Sequence, residues 1–260
     1  MADEMILARR EGAVLVLTLN RPERLNAAPP ELFEELVAKL GALGDARAVL
    51  ITGGTRAFCS GADLSGRMMN SGQPGDNARA RLLSSYNPGM QALAALPVPV
   101  VTAVNGPAAG IGCSLALAGD FCVMGESAYL LQAFVNIGLV PDGGASWTLP
   151  RLIGKARATE MMMLGERIHG PKAESWGLVY KCLPDGEVQE AALALAQRLA
   201  NGPSIALGLM RQGIMASLQS DYPGALAREA EDQRVAGNSA DAAEGTVAFM
   251  TKRKAEFKGA

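Results

Sequence analysis

The segment GLVPDGGAS, Gly138 to Ser146, holds one carboxylate, Asp142, between a proline and a pair of glycines. A carboxylate can take a proton from a carbon acid and return it at another carbon. In an apolar setting its pKa is drawn up toward neutrality, where both transfers are feasible. Phe134, Val140 and Trp147 are the apolar residues that could supply that setting. The same Pro-Asp-Gly is also ordinary turn chemistry: proline presets φ, aspartate bonds its own backbone, and glycine accepts positive φ. Other candidate groups are scarce. The single histidine, His169, lies between GERI and GPK and reads as a loop or helix-end residue. No His-rich constellation is present to hold a metal. The four cysteines, Cys59, Cys113, Cys122 and Cys182, lack CxxC spacing and read as small buried residues of a reducing compartment. Chemistry here must run on carboxylates, hydroxyls or backbone amides.

Backbone amides are offered by two glycine-rich loops. GPAAGIGCSLALA follows a strand and opens a helix at about Ile111, whose first N–H groups have no partner within the helix. AFCSGADL turns sharply at Gly61 and presents Ala62 in the same way. Two such amides converging on one carbonyl oxygen form an oxyanion hole. Taken singly, each loop is a tight turn with a helix cap. The first does not fit dinucleotide binding, because Leu115 stands where a third glycine belongs. It lacks the Lys-Ser/Thr of a phosphate loop, and as a nucleophile elbow GCSLA ends in alanine with only His169 as a base.

The elements that carry these loops read as follows. MILARREGAVLVLTLN is a hairpin, and PPELFEELVAKLGALG is a helix with Leu32, Phe33, Leu36, Val37, Leu40 and Leu43 at helical spacing. RAVLITGG and VPVVTAVNG are buried strands, with FCVMG and AYLL as two shorter ones. Ser65 to Gly75 reads as a flexible loop, and the helix ARARLLSSYNPGMQALAAL should be kinked or interrupted at Pro88 and Gly89. Strand, glycine turn and helix recur at about fifty-residue spacing, the sign of a repeating β-rich coil with helices outside. From about Pro184 the chain is all helical. Its last helix spans SADAAEGTVAFMTKRKAEF, with Lys252, Arg253 and Lys254 matching the dipole near its end. This gives a core over 1–183 and a helical oligomerisation region over 184–260.

The 260 residues suit one large α/β domain, or one domain with an appended helical segment. At 49% hydrophobic and 5% aromatic the core must be aliphatic, and a net charge of -2 without basic runs disfavours nucleic acid. No apolar stretch is long enough to span a membrane, and the start MADEM lacks the basic n-region of a signal peptide, so a soluble cytoplasmic protein is expected.

Taken in order, LTLNRPERLNA, AFCSGADL, AVNGPAAGIGCSLALAGD, NIGLVPDGGASWTLPRLIG, KAESWGLV and AFMTKRKAEF resemble segments of the enoyl-CoA hydratase/isomerase (crotonase) family along nearly the whole chain. The resemblance implies a spiral β-β-α core, a C-terminal helical trimerisation region and often a hexamer of two trimers. It implies an acyl-CoA thioester as substrate, with coenzyme A part of that substrate and no separate cofactor. It assigns the oxyanion-hole amides to Ala62 and Ile111, the latter replacing a common glycine and narrowing the pocket. Arg24, Leu25 and Arg56 are placed near the CoA nucleotide, and Ser60, Asp63 and Leu64 along the pantetheine. Phe249 and Lys252 match residues that reach CoA from a neighbouring subunit.

The two glutamates with which family hydratases add water align with Ser114 and Phe134. Serine can orient water, but phenylalanine exchanges no proton, so standard hydration is disfavoured. Family isomerases and a dehalogenase branch place their acid in the loop of Asp142. The expected reaction is therefore a Δ3-to-Δ2 double-bond shift, with Asp142 moving the proton and the enolate held by Ala62 and Ile111. The alternatives are nucleophilic displacement or thioester hydrolysis by Asp142, weak hydration, and a non-catalytic acyl-CoA binder. Met68, Met69 and Met90, with Ile111 and the Ser65–Gly75 loop, suggest an apolar and adaptable acyl pocket.

Overall fold

The computed structural model describes residues 4–65 and 73–260, so the central methionines Met68 and Met69 and most of the Ser65–Gly75 loop lie outside the described residues. The chain opens with the antiparallel hairpin β1 (Ile6–Glu11) and β2 (Val14–Leu19), then α1 (Pro30–Gly41) and β3 (Ala48–Thr52). Next come α2 (Pro74–Arg81), a π turn (Leu82–Tyr86) and α3 (Asn87–Ala94). The sequence β4 (Val100–Val104), β5 (Pro107–Ala109), α4 (Ile111–Ala116), β6 (Phe121–Gly125) and β7 (Tyr129–Leu131) follows. The remainder is α5 (Ala145–Leu164), β8 (Ile168–His169), α6 (Gly170–Ser175), β9 (Lys181–Leu183), α7 (Val188–Ala200), α8 (Ser204–Ser217), α9 (Tyr222–Gly237) and α10 (Ala240–Met250).

Six strands form one sheet in the order β1-β2-β3-β4-β6-β9, parallel from β2 onward, and β5-β7-β8 form a second. Each coil of the chain lays one strand in the large sheet and the next in the small one, as in β4 then β5 and β6 then β7. Isolated parallel bridges, Ala28 with Ala62 and Cys59 with Ala108, carry the small-sheet side into the earlier coils. This is the spiral expected from the recurring pattern.

The two-residue period of the strands builds two cores. Leu15, Leu17, Val49, Ile51, Val100 and Val104 face α1, α3 and α4, while Val14, Val16, Ala48, Leu50, Val101 and Ala103 face α7. On α7 the residues Val188, Ala192, Ala196 and Ala200 repeat every four positions and are at most 2% exposed, so their small side chains let the helix lie close on the sheet. Of the expected stripe Leu32, Phe33, Leu36 and Leu40 are buried, Val37 is 37% exposed, and Leu43 lies beyond the end of α1 and is partly buried.

Three local expectations are corrected. First, Gly75 already lies in α2, and the interruption expected at Pro88 and Gly89 falls just before them, at the π turn, so that α3 begins at Asn87. The wider π turn just before it, closed by the Asn87 N–H on the Leu82 carbonyl, accommodates a ring that would clash within a regular α turn. Second, Met90 is half-buried against the main core and does not line the cavity that carries Ala62, Ile111 and Asp142. Third, the last helix ends at Met250, so Lys252, Arg253 and Lys254 lie beyond it. Lys252 takes φ +53°, and the N–H of Arg253 caps the Ala248 carbonyl. The tail folds back because the buried Asp241 carboxylate accepts the N–H groups of Lys258 and Gly259 at 2.7 and 2.8 Å.

Arg211 of α8 ties the helical segment to the core. It is 6% exposed, pairs with Asp120 at 2.8 Å, and donates to the carbonyls of Leu93, Ala94 and Leu96. Arg211→Ala strands a carboxylate and three carbonyls, so unfolding free energy is expected to fall by about 3–5 kcal/mol. The shift of the urea denaturation midpoint measures it. Elsewhere α8 and α9 leave Met210, Ile214, Tyr222 and Leu226 exposed. Among the described residues, no helix is long and apolar enough to cross a membrane.

Candidate active site

The spiral brings the two glycine loops together. The Ala109 N–H donates to the Cys59 carbonyl at 2.9 Å, and Cys59 bridges Ala108 in parallel register. Three residues further along each strand stand Ala62 and Ile111. Ala28 fixes the direction of the first amide: its N–H donates to the Gly61 carbonyl at 2.7 Å and its carbonyl accepts from the Asp63 N–H at 3.0 Å. With both flanking groups turned toward Ala28, the N–H of Ala62 points the opposite way. On the other loop Gly110, at φ +53°, ends the strand, and Ile111 begins α4 with its N–H at the helix mouth. Among the described residues neither N–H meets a protein acceptor.

Both amides line a cavity of about 180 Å³ whose wall also carries Asp142, Phe134, Tyr86 and Leu82. The Asp142 loop is held from below. Ser114 Oγ donates to the Asp142 carbonyl at 2.9 Å, and the Ala145 N–H at the start of α5 donates to the same oxygen at 3.2 Å. Gly143, at φ +60°, passes so near α4 that a Cβ there would lie 2.5 Å from Ile111 Cδ1 and 2.6 Å from Ser114 Cβ. The carboxylate itself is left unsatisfied: Oδ1 is buried and has no hydrogen-bond partner among the described residues. Burial alone pushes its pKa up to about 6.

Two expectations about this setting change. Val140 is 81% exposed and shields nothing, and Trp147 stacks under the Arg151 guanidinium instead of lining the cavity. The apolar wall around the acid comes from Ile111, Phe134, Ile137, Leu139, Leu82 and Tyr86.

Asp63, the other carboxylate on the cavity wall among the described residues, has a different character. It accepts from the Ser65 side chain and backbone and pairs with Arg21 at 2.9 Å. The Ser65 hydroxyl, ahead of Arg21, holds its pKa down at about 2. A carboxylate so acidic is a poor proton carrier at neutral pH, and its role here is to brace the Ala62 loop.

Ser60 and Leu64 line the same cavity, and the Ser60 N–H and hydroxyl reach the carbonyls of Leu25 and Arg24 at 3.0 and 3.3 Å. Arg56 donates to the Pro22 carbonyl at 3.4 Å, so Arg24, Leu25 and Arg56 gather at the Ser60 side. Phe249 and Lys252 are exposed on the far C-terminal segment and do not line this cavity within one chain. The sequence reading passed over Asn26, Arg81 and Tyr86. Asn26 is 1% exposed at φ +55°, and its amide locks the loop to Gly53 and Ala57. Asparagine's tolerance of left-handed backbone was the available signal. Tyr86 lines the cavity and donates to the Ala28 carbonyl at 2.9 Å.

Two amides facing a cavity beside a half-buried carboxylate form an arrangement that can polarise a carbonyl oxygen and exchange a proton next to it. Its distribution over neighbouring coils of a β-β-α spiral defines a crotonase-type fold. The family model described as "Enoyl-CoA hydratase/isomerase" matches residues 9–260, and the chain belongs to that family. It is 40% identical to a 1,2-epoxyphenylacetyl-CoA isomerase of Escherichia coli, covering 98% of this chain and 99% of that one. It is 35% identical to a 2,3-dehydroadipyl-CoA hydratase of the same organism over 98% of this chain and 99% of the other. The crystal structure of an enoyl-CoA hydratase from Bacillus anthracis superposes with TM-score 0.92 at 33% identity, covering 99% of this chain and all 100% of that one.

Proposed function

We propose that this acyl-CoA enzyme is an isomerase that moves a Δ3 double bond to Δ2. The observation that carries the reading is the half-buried carboxylate of Asp142, its Oδ1 buried without a hydrogen-bond partner among the described residues, in one cavity with the Ala62 and Ile111 amides. In this mechanism the thioester oxygen accepts both N–H groups. Asp142 removes a proton from C2, and the C–H electron pair moves into a dienolate whose charge rests on that oxygen. The carboxylic acid then returns the proton to C4, the double bond settles between C2 and C3, and the carboxylate is regenerated. The amides bind the oxygen more strongly as its charge grows, which is the condition for lowering the barrier. Hydration is the weaker reading, because Ser114 and Phe134 supply no second acid.

Incubation with 3-hexenoyl-CoA tests the proposal: a rise in near-ultraviolet absorbance from the conjugated thioester is expected. Consumption of 2-hexenoyl-CoA to a hydroxyacyl product instead, or an acyl adduct on Asp142, would replace it with hydration or displacement. A ring-epoxidised arylacetyl thioester is a second candidate substrate, favoured by the 40% identical relative of that name and by the aromatic wall of Phe134 and Tyr86. The exposed apolar residues of α8 and α9 support a homotrimer or hexamer in which Phe249 and Lys252 reach a neighbour's CoA.

The pH dependence has a definite sign. The base must be ionised, and burial raises Asp142 to about 6, so kcat/KM for 3-hexenoyl-CoA is expected to rise with pH through about 6 and level off above 7. An inflection near 4, the ordinary carboxylate value, contradicts a buried base.

A further inference from the structure

The cavity holds a cation that the proposed reaction does not use. Arg81, the last residue of α2, is half-buried on the cavity wall, and it makes no hydrogen bond or ion pair among the described residues. Its neighbour Arg79 is a solvated surface group and is not part of that wall. A half-buried guanidinium on the wall of a mostly apolar cavity, without a hydrogen-bond or ion-pair partner among the described residues, is open to an anionic ligand.

Position narrows the ligand. In a regular α-helix residues five apart do not share a face, but one π turn separates Arg81 from Tyr86 and brings both onto the cavity wall. Arg81, Leu82 and Tyr86 thus bring one helical segment to the wall of the cavity that also carries Asp142 and the Ala62 and Ile111 amides. Arg24, Arg56 and the Ser60 hydroxyl, expected to meet CoA, gather at the Ser60 side instead. Arg81 does not neutralise the acid, whose raised pKa has burial as its cause. In the proposed binding mode a thioester seated under Ala62 and Ile111 extends its acyl chain past Asp142 toward Arg81. At about 180 Å³ the cavity is small beside the ~300–1,000 Å³ of ligand clefts in general, which suits a short acyl chain.

We infer that Arg81 recognises a carboxylate at the far end of the acyl chain, so that the preferred ligands are CoA monothioesters of short dicarboxylic acids. The inference rests on the proposed acyl-binding role of this cavity. Its chemistry is a charge-assisted, two-pronged contact that arginine makes better than lysine.

Calorimetric binding of two saturated thioesters, adipyl-CoA and hexanoyl-CoA, tests it. The wild type is expected to bind adipyl-CoA about 10- to 100-fold more tightly, the range for a hydrogen bond between charged groups. In Arg81→Met the ratio is expected to fall below about threefold, and in Arg81→Lys to lie between the two. Equal affinity in the wild type, or a preference that survives Arg81→Met, overturns the inference. Neither probe can isomerise. A failed isomerase assay therefore leaves the binding result standing, and a failed binding preference leaves the isomerase reading untouched.

Discussion

Asp142→Asn is expected to lower kcat for 3-hexenoyl-CoA by about 10²–10⁴, the range for removing a positioned acid–base group. Asparagine keeps the shape and volume of the side chain but cannot carry the proton. The backbone that positions it is held by the Ser114 hydroxyl and the Ala145 N–H, neither of which touches the carboxylate. Thioester affinity should therefore persist while turnover disappears. The same substitution should raise stability at neutral pH. With a folded pKa near 6 against an ordinary 3.8, Asp142 favours the folded state most below about pH 4, and that advantage is lost as pH rises through 6. At pH 7 the buried charge costs on the order of 2–3 kcal/mol, and the neutral amide avoids part of that cost. A variant that turns over normally, or one that loses substrate affinity together with activity, contradicts the assignment.

The second large effect is expected at Gly112→Ala. A Cβ at this position would stand 2.3 Å from the Cys59 carbonyl oxygen and 2.7 Å from Cys59 Cβ. Cys59 cannot yield, because it is fully buried and its carbonyl already accepts the Ala109 N–H. The start of α4 must then retreat from the Cys59–Ala62 strand, and the Ala62 and Ile111 amides separate. The loss of one oxyanion donor's contribution corresponds to about 10²–10³ in kcat. Overpacking a tight contact should also cost about 1–3 kcal/mol, seen as a Tm lowered by several degrees. Retention of kcat within threefold in a folded variant means the two amides do not act on one oxygen.

Local patterns made much of this protein legible. The hairpin, α1, the buried strands and the α4 start follow from periodicity and glycine placement, and the residues of the two amide loops and the Asp142 turn sit in short contiguous motifs. What escaped depends on direction or on long-range contact. Val140 is apolar and next but one to Asp142, yet the turn sends it to solvent while Leu82 and Tyr86 arrive from another coil. A π turn has no distinct residue pattern, so the wall that carries Arg81 read as an interrupted helix. The C-terminal tail looked helical because Lys252, Arg253 and Lys254 suit a helix end. Its fold-back depends on Asp241, whose partners lie 17 and 18 residues later in the chain.

The central claim is that one water-shielded carboxylate lifts hydrogen from C2 and sets it down at C4. The most direct measurement is a single turnover of 3-hexenoyl-CoA carrying deuterium at C2, run in ordinary water, with the product's label located by mass spectrometry and NMR. Deuterium delivered to C4 in a measurable fraction of product is the predicted result. A product with C4 filled only by solvent hydrogen, at every time point, contradicts a single sheltered carrier.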